Sequence, residues 1–524
     1  MAAPAGVYPE QVRRTLVALL IAALLAGCSS SGPASQSGGG STGLDLAPSS
    51  TPTTVSTPPT PPARTIAWSS CPGHSGWDCG TLQVPLNPAE PTGPTIGIAL
   101  NRHRATDPSQ RIGSLLINPG GPGASGIDFA YEAVPGLLDS SLIAHFDIIG
   151  FDPRGVGASS PIACTDGPTL DRINHLDPVP STPAKLAALI AGAKELDADC
   201  ESRSGSILPY VATVNVAKDL DLIRAALGDS KLSYLGFSYG TLIGATYASL
   251  FPTHIRALVL DSAIDPDVDE ATQSLAQAVG FEGDLNAFLT WCTTAGSSCA
   301  FKADGAPNLR AAFNALAARV DVNALPGSGD LTLGPAEMLL GVANPLYDSS
   351  AWPDLAAALA AAQAGNGLPL LEEYESYIGR SPNGTYDNEE VSNIAVNCLD
   401  LPAPSLAQVD SMESTAAQMA PYFGPPLIFD DLNCLYWPVP PVTRPEALHA
   451  PGAPPILVVG STGDPATPYA WARSLATELG SAVLITRHGE GHGAYPASAC
   501  VRNLVDQYLI SLAVPDAQAA DCPS

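Results

Sequence analysis

The chain has 524 residues, of which 51 are acidic and 23 are Lys or Arg, for a formal charge of −28 and a pI near 4.4. So acidic a surface excludes nucleic acid as a main partner, because binding phosphate needs a basic face. The apolar share of 45% is ample for a large core, and no CxxC, HExxH or GxxxxGK[ST] spacing occurs, so neither a zinc site nor a P-loop is expected and no cofactor is implied.

At the start of the chain Arg13 and Arg14 precede an apolar run from Leu16 to Leu25, and Leu25-Ala26-Gly27-Cys28 closes it. An apolar stretch of about ten to twelve residues is short for the roughly 20 that span a bilayer, so residues 1–27 are expected to be an export signal. The pattern resembles a bacterial lipoprotein signal with its lipobox. That resemblance implies cleavage before Cys28, lipid attachment to its sulfur and anchoring to the cell membrane. An ordinary secretory signal is the alternative, and the paired arginines leave both Sec and Tat export open. Residues 28–65 are rich in Ser, Gly, Thr and Pro with few bulky apolar side chains. Such a segment buries too little surface to offset its ordering entropy, and is expected to be a tether.

Ten of the eleven cysteines remain once Cys28 is set aside. An even number in an exported chain favours disulfides. Sequence does not determine the connectivity, but pairing of neighbours gives Cys71–Cys79, Cys164–Cys200, Cys292–Cys299, Cys398–Cys434 and Cys500–Cys522.

From residue 66 to 264 apolar runs alternate with helical patterns. Strands are predicted at Thr95–Asn101, Ser114–Asn118, Phe146–Phe151, Lys231–Gly236 and Ile255–Asp261, with helices at Val214–Leu227 and Thr241–Phe251. This alternation predicts an α/β fold with a mainly parallel sheet covered by helices. Residues 265–445 turn Ala- and Leu-rich with helical spacing, which suggests an inserted helical lid. In 446–524 the alternation resumes with a strand at Pro455–Gly460, a helix at Tyr469–Leu479, a strand at Ala482–Thr486 and a final helix at Ser498–Leu512.

Gly236-Phe237-Ser238-Tyr239-Gly240 lies between a predicted strand and a predicted helix. A GxSxG string there places the serine in a strained turn as a nucleophile, with small neighbours letting strand and helix pass closely. A serine hydroxyl needs a base to take its proton and a third group to orient that base. Asp464 and His492 each stand just beyond a predicted strand in the returning segment, and the order Ser238, Asp464, His492 is that of α/β-hydrolases. Asp261 and His488 are the nearest alternatives for acid and base. The glycine loop Asn118-Pro119-Gly120-Gly121-Pro122-Gly123 follows a strand and suits an oxyanion hole, with donors assigned to Gly121 (Gly120 as alternative) and to Tyr239. Thr467 is expected to support the acid loop by capping the next helix.

The segments NPGGPGASG, FDPRGVGAS (Phe151–Ser159), GFSYGT, GDPATP (Gly463–Pro468) and GEGHG resemble tripeptidyl aminopeptidases among the proline iminopeptidase-like α/β-hydrolases, exported actinobacterial serine proteases included. The resemblance covers residue 66 to the C terminus. It implies an α/β-hydrolase fold, a serine peptidase acting near free amino termini of peptide or protein substrates, and a lid carboxylate that holds the substrate ammonium, with Asp400, Glu282 and Glu372 as candidates. Simple proline iminopeptidases usually read HGGPG, whereas Asn118-Pro119 stands here, which leans toward the tripeptidyl branch. A carboxylesterase or lipase acting on acyl esters is the rival within the same chemistry. The rival from another class is a non-catalytic surface-binding lipoprotein.

Overall fold

The computed structural model describes residues 64–329, 331–516, 518 and 520–523. The export signal, Cys28 and nearly all of the expected tether lie outside the described residues. Ten strands form one sheet: β1 (Ser69–Ser70), β2 (Trp77–Pro85), β3 (Thr95–His103), β4 (Gly113–Asn118), β5 (Phe146–Phe151), β6 (Leu232–Phe237), β7 (Ile255–Asp261), β8 (Ile456–Gly463), β9 (Ala482–Glu490) and β10 (Asp521–Cys522). Their spatial order is β1-β2-β3-β5-β4-β6-β7-β8-β9-β10. The first three strands join antiparallel, and every pairing from β5 through β4 to β10 is parallel. Central strands β4 and β6 are buried along their whole length, which is why both appear in the sequence as unbroken apolar runs rather than as alternating ones.

Two apolar layers sandwich the sheet. Leu116, Tyr234, Leu258 and Val458 face one of them, while Leu115, Leu235, Val259 and Leu457 face the other. Helices α1 (Gly126–Gly136), α2 (Thr213–Ala226) and α3 (Tyr239–Leu250) cover it in the first half. Between β7 and β8 the described chain is mainly helical, including α4 (Glu270–Thr294), α5 (Pro335–Leu346) and α6 (Glu389–Asp400), with one small hairpin of two-residue strands and an irregular stretch over 436–455 before β8. This insert has an apolar core of its own, built on Phe281, Phe288, Leu339, Tyr347 and Leu371, which also takes in Ala466 from the returning segment. The chain then completes the sheet with β8, α7 (Tyr469–Glu478), β9 and α8 (Ala499–Ser511).

The ten cysteines form five disulfides, Cys71–Cys79, Cys164–Cys200, Cys292–Cys299, Cys398–Cys434 and Cys500–Cys522. Neighbour pairing was therefore correct. Such a set fits an exported protein, since thiols stay reduced in most cytosols. No helix among the described residues is long and apolar enough to cross a membrane.

The FDPRGVGAS segment acts as scaffold for the glycine loop. Asp152 accepts from Ser125 Oγ at 2.7 Å, Ile127 N at 3.2 Å and Ala158 N at 2.8 Å, tying its own turn to the start of α1. Arg154 is fully buried and donates through Nε and Nη2 to both oxygens of Asp219, each at 2.7 Å. Its remaining N–H groups reach the carbonyls of Pro85, Leu86 and Tyr210. The cation is thus saturated, as a buried charge must be.

Candidate active site

Ser238 stands at the junction of β6 and α3 with φ 53° and ψ −125°. A non-glycine residue with positive φ is strained and persists only where its surroundings over-determine it. Here they do: Ser238 N donates to Asp261 O at 2.9 Å, and the Ser238 carbonyl accepts from Thr241 Oγ1 at 2.6 Å. Both glycines of the motif are sterically required. A Cβ at Gly236 would stand 2.6 Å from Gly240 O, and one at Gly240 would stand 2.7 Å from Asn118 Oδ1.

Beyond the parallel neighbours of β6, the acid and the base approach each other at the same sheet edge. Asp464 follows β8, and its Oδ1 accepts from His492 Nδ1 at 2.8 Å, Thr467 N at 2.8 Å and Ala466 N at 3.0 Å. Oδ2 accepts from Ser262 Oγ at 2.7 Å. Four donors thus fix the carboxylate and aim it at the imidazole. His492 is buried, and its Nε2 finds no hydrogen-bond partner among the described residues. Nδ1 thus faces the carboxylate, and Nε2 is the ring nitrogen left unengaged.

The two alternatives go elsewhere. Asp261 accepts from Ala494 N and Tyr495 N at 3.0 and 2.6 Å, so it braces the turn after the histidine loop. Burial pushes its pKa up to about 6. His488 lies within β9 and meets Asp521 at 2.6 Å on the exposed surface.

The glycine loop presses against the serine turn. Gly120 N donates to Asn118 Oδ1 at 3.0 Å. Tyr239 is the first residue of α3, where the N–H has no intrahelical acceptor. Gly121, Ser238 and Tyr239 together line a cavity of about 190 Å³.

Of the three acids considered for a substrate ammonium, only Asp400 lines that cavity. It accepts from Thr213 N at 3.0 Å and from Thr213 Oγ1 at 2.5 Å, and burial pushes its pKa up to about 6. Glu282 instead pairs with Arg310 at 2.9 Å and accepts from Tyr422 N, so its charge is neutralised within the insert. Glu372 is exposed on the surface. Thr467 supports the acid loop, but not as a cap: α7 begins without a side-chain cap, and the Thr467 hydroxyl lies 3.3 Å from His492 Nδ1.

Two features escape a reading of the sequence. Ser262, one residue past β7 with φ 58°, bridges acid and base loops by donating to Asp464 and accepting from Gly493 N at 2.8 Å. A second cavity, of about 170 Å³, shares Asn393 with the first and is lined by Glu389, Glu390 and Asp430 among apolar side chains. Burial pushes Glu389 well above the usual carboxylate range, and Glu390 and Asp430 each to about 7.

Comparison with known proteins fits this geometry. A family model described as "alpha/beta hydrolase fold" matches residues 113–328, and one described as "TAP-like protein" matches residues 420–522. "Serine protease Hip1" of Mycobacterium tuberculosis is 36% identical over 454 residues, covering 84% of this chain and 86% of that protein. "Tripeptidyl aminopeptidase" of Streptomyces coelicolor is 34% identical over 460 residues, covering 85% and 84%. The chain belongs to the tripeptidyl aminopeptidase family of α/β-hydrolases. A further relative, "Carboxylesterase B" of M. tuberculosis, is 35% identical over 445 residues, covering 83% of this chain and 85% of that protein. Membership in this family makes the protein a serine hydrolase, and Ser238, Asp464 and His492 each follow a parallel strand of its sheet.

Proposed function

We propose that this exported hydrolase is an aminopeptidase that releases short peptides, tripeptides foremost, from free amino termini through an acyl-enzyme. The observation that carries the reading is the His492 imidazole held through Nδ1 by a four-donor Asp464, with Nε2 unengaged. Ser238 Oγ attacks the carbonyl carbon while its proton passes to His492 Nε2. The oxyanion is met by Gly121 N–H and Tyr239 N–H. Collapse breaks the C–N bond, the imidazolium gives its proton to the leaving amine, and water then hydrolyses the ester by the same steps.

Preference for an amine-bearing substrate is supported by the second cavity. Glu389, Glu390 and Asp430 line it, and among the described residues none of them forms an ion pair with Lys, Arg or His. A peptide ammonium placed there would favour the ionised carboxylates that burial alone disfavours. Asp400, at the wall of the serine cavity, is the further candidate. In this reading the helical insert is the lid over both cavities, and Cys28 carries the lipid that anchors the protein to the cell membrane. The esterase reading rests on the relative named carboxylesterase B and on the apolar cavity walls.

Fluorophosphonate labelling followed by parallel assays on tripeptide anilides, their N-acetylated forms and p-nitrophenyl esters tests the proposal. Ser238→Ala abolishes both labelling and turnover while far-UV circular dichroism stays unchanged. Glu390→Gln raises KM for the free-amine anilide more than for its N-acetylated form. Normal turnover by Ser238→Ala sinks the nucleophile assignment, and labelling with ester but no anilide cleavage favours the esterase.

A further inference from the structure

The helical insert reaches the acid and base loops directly. In α4 a Cβ at Gly280 would stand 2.3 Å from Pro465 O, so the helix backbone lies against the turn after Asp464. Gln277, one turn earlier, donates through Nε2 to Ala466 O at 3.0 Å. At the end of α5, Tyr347 makes the matching contact with the histidine loop. Its carbonyl accepts from His492 N at 2.8 Å, and a Cβ at Gly491 would stand 2.9 Å from that carbonyl. The Tyr347 ring meets the imidazole edge to face, with centroids 5.4 Å apart and planes at 89°. Phe281 of α4 packs against the tyrosine ring with centroids 5.4 Å apart, and both aromatics belong to the insert's own core.

An imidazole has two freedoms that a single bond through Nδ1 does not remove: rotation of its loop and tilt of its ring. The main-chain bond from Tyr347 restrains the first, and the perpendicular ring restrains the second. A packed aromatic neighbour of this geometry contributes about 0.5–1.5 kcal/mol beyond its buried area. We infer that Tyr347 is a positioning residue for His492, so that the insert sets the geometry of the base as well as covering the site.

This rests on His492 being the general base, and the test separates the two claims. Tyr347→Leu removes the ring but keeps the carbonyl, and Tyr347→Phe keeps both. Because a displacement near 1 Å costs about 100-fold, Tyr347→Leu is expected to lower kcat by about 10- to 100-fold per labelled active site. KM stays within about twofold, and fluorophosphonate labelling slows in step with kcat. Tyr347→Phe restores most of the kcat. Phe281→Leu, which loosens the seat of the tyrosine without touching acid or base, gives a smaller loss of the same kind and serves if the first variant does not fold. Unchanged kcat in Tyr347→Leu, or a lowered melting temperature with normal kcat per active site, overturns the inference and leaves the triad standing. Normal turnover by His492→Ala refutes the base assignment itself.

Discussion

Replacing Gly120 by alanine tests whether the glycine loop sets the geometry of the serine turn. Gly120 has φ +111°, and a Cβ there would stand 2.6 Å from Phe237 O, 2.9 Å from Ser238 Cβ and 3.0 Å from Tyr239 N. Moving from 2.6 Å to an ordinary contact of 3.4 Å asks for about 0.8 Å of displacement, and every atom in the way belongs to the turn. Such a shift, close to the 1 Å that costs about 100-fold, predicts a fall in kcat near that size, or about 2.7 kcal/mol of activation free energy. The backbone strain itself costs about 1–3 kcal/mol of stability. Gly228→Ala is the control, because Gly228 has φ +83° with no described atom within 4 Å of the added Cβ. Both variants should lose stability in thermal melts, and only Gly120→Ala should lose kcat on a p-nitrophenyl ester, with active sites counted by fluorophosphonate titration. If Gly120→Ala keeps kcat within about threefold of wild type, the turn is not set by contact with the loop; if Gly228→Ala loses kcat equally, the effect is general destabilisation.

Asp464→Asn should lower kcat by about 10⁴-fold, because the amide leaves the imidazole in the wrong tautomer, whereas Ser262→Ala removes one of four donors and should cost about tenfold in kcat with KM unchanged. Arg154→Ala strands Asp219 and should cost about 3–5 kcal/mol in urea denaturation. The paired change Arg154→Met with Asp219→Leu should stay below wild type, since the carbonyls of Pro85, Leu86 and Tyr210 also lose their donor. Asp197 is buried with neither oxygen hydrogen-bonded among the described residues, and desolvation pushes its pKa up to about 8. A carboxyl whose pKa is raised on folding binds more protons folded than unfolded, so its stabilising share is complete below about pH 4 and is lost as pH rises toward 8. Asp197→Asn should therefore raise the melting temperature at pH 8 and leave it nearly unchanged at pH 4; equal shifts at both would refute the assignment.

What could be read from the sequence depended on how local its cause was. Ser238 was legible because its strain is imposed by residues two positions away, and the steric need for Gly236 and Gly240 is written in the motif itself. Asp464 and His492 followed from their place after β8 and β9. Strand and helix positions in the sheet region fell within a few residues of expectation, since buried strands leave apolar runs that few other elements imitate. By contrast, β2 and α1 carried no such signal: β2, flanked by β3 and the two-residue edge strand β1, has mixed burial, and α1 contains Pro135. Glu282 failed as an ammonium ligand because Arg310, in the same insert, neutralises it.

Residues placed by packing between distant segments left no trace at all. Ser262 acts on Asp464 only because β7 and β8 are neighbours, with Val459 paired to Asp261 across the insert. The same pairing explains the position of Tyr347. The insertion leaves the sheet at the carboxyl end of β7, the edge where Asp464 stands, and crosses to the opposite edge to enter the parallel strand β8, so it is at its departure that the insert lies beside the acid. Gly280 against Pro465 and Tyr347 against His492 are the consequence. On the proposed function, substrate selection and placement of the base belong to one packed body. Changes to the insert that alter the cavities are expected to alter kcat together with KM, whereas changes on the far side of the sheet should leave both alone.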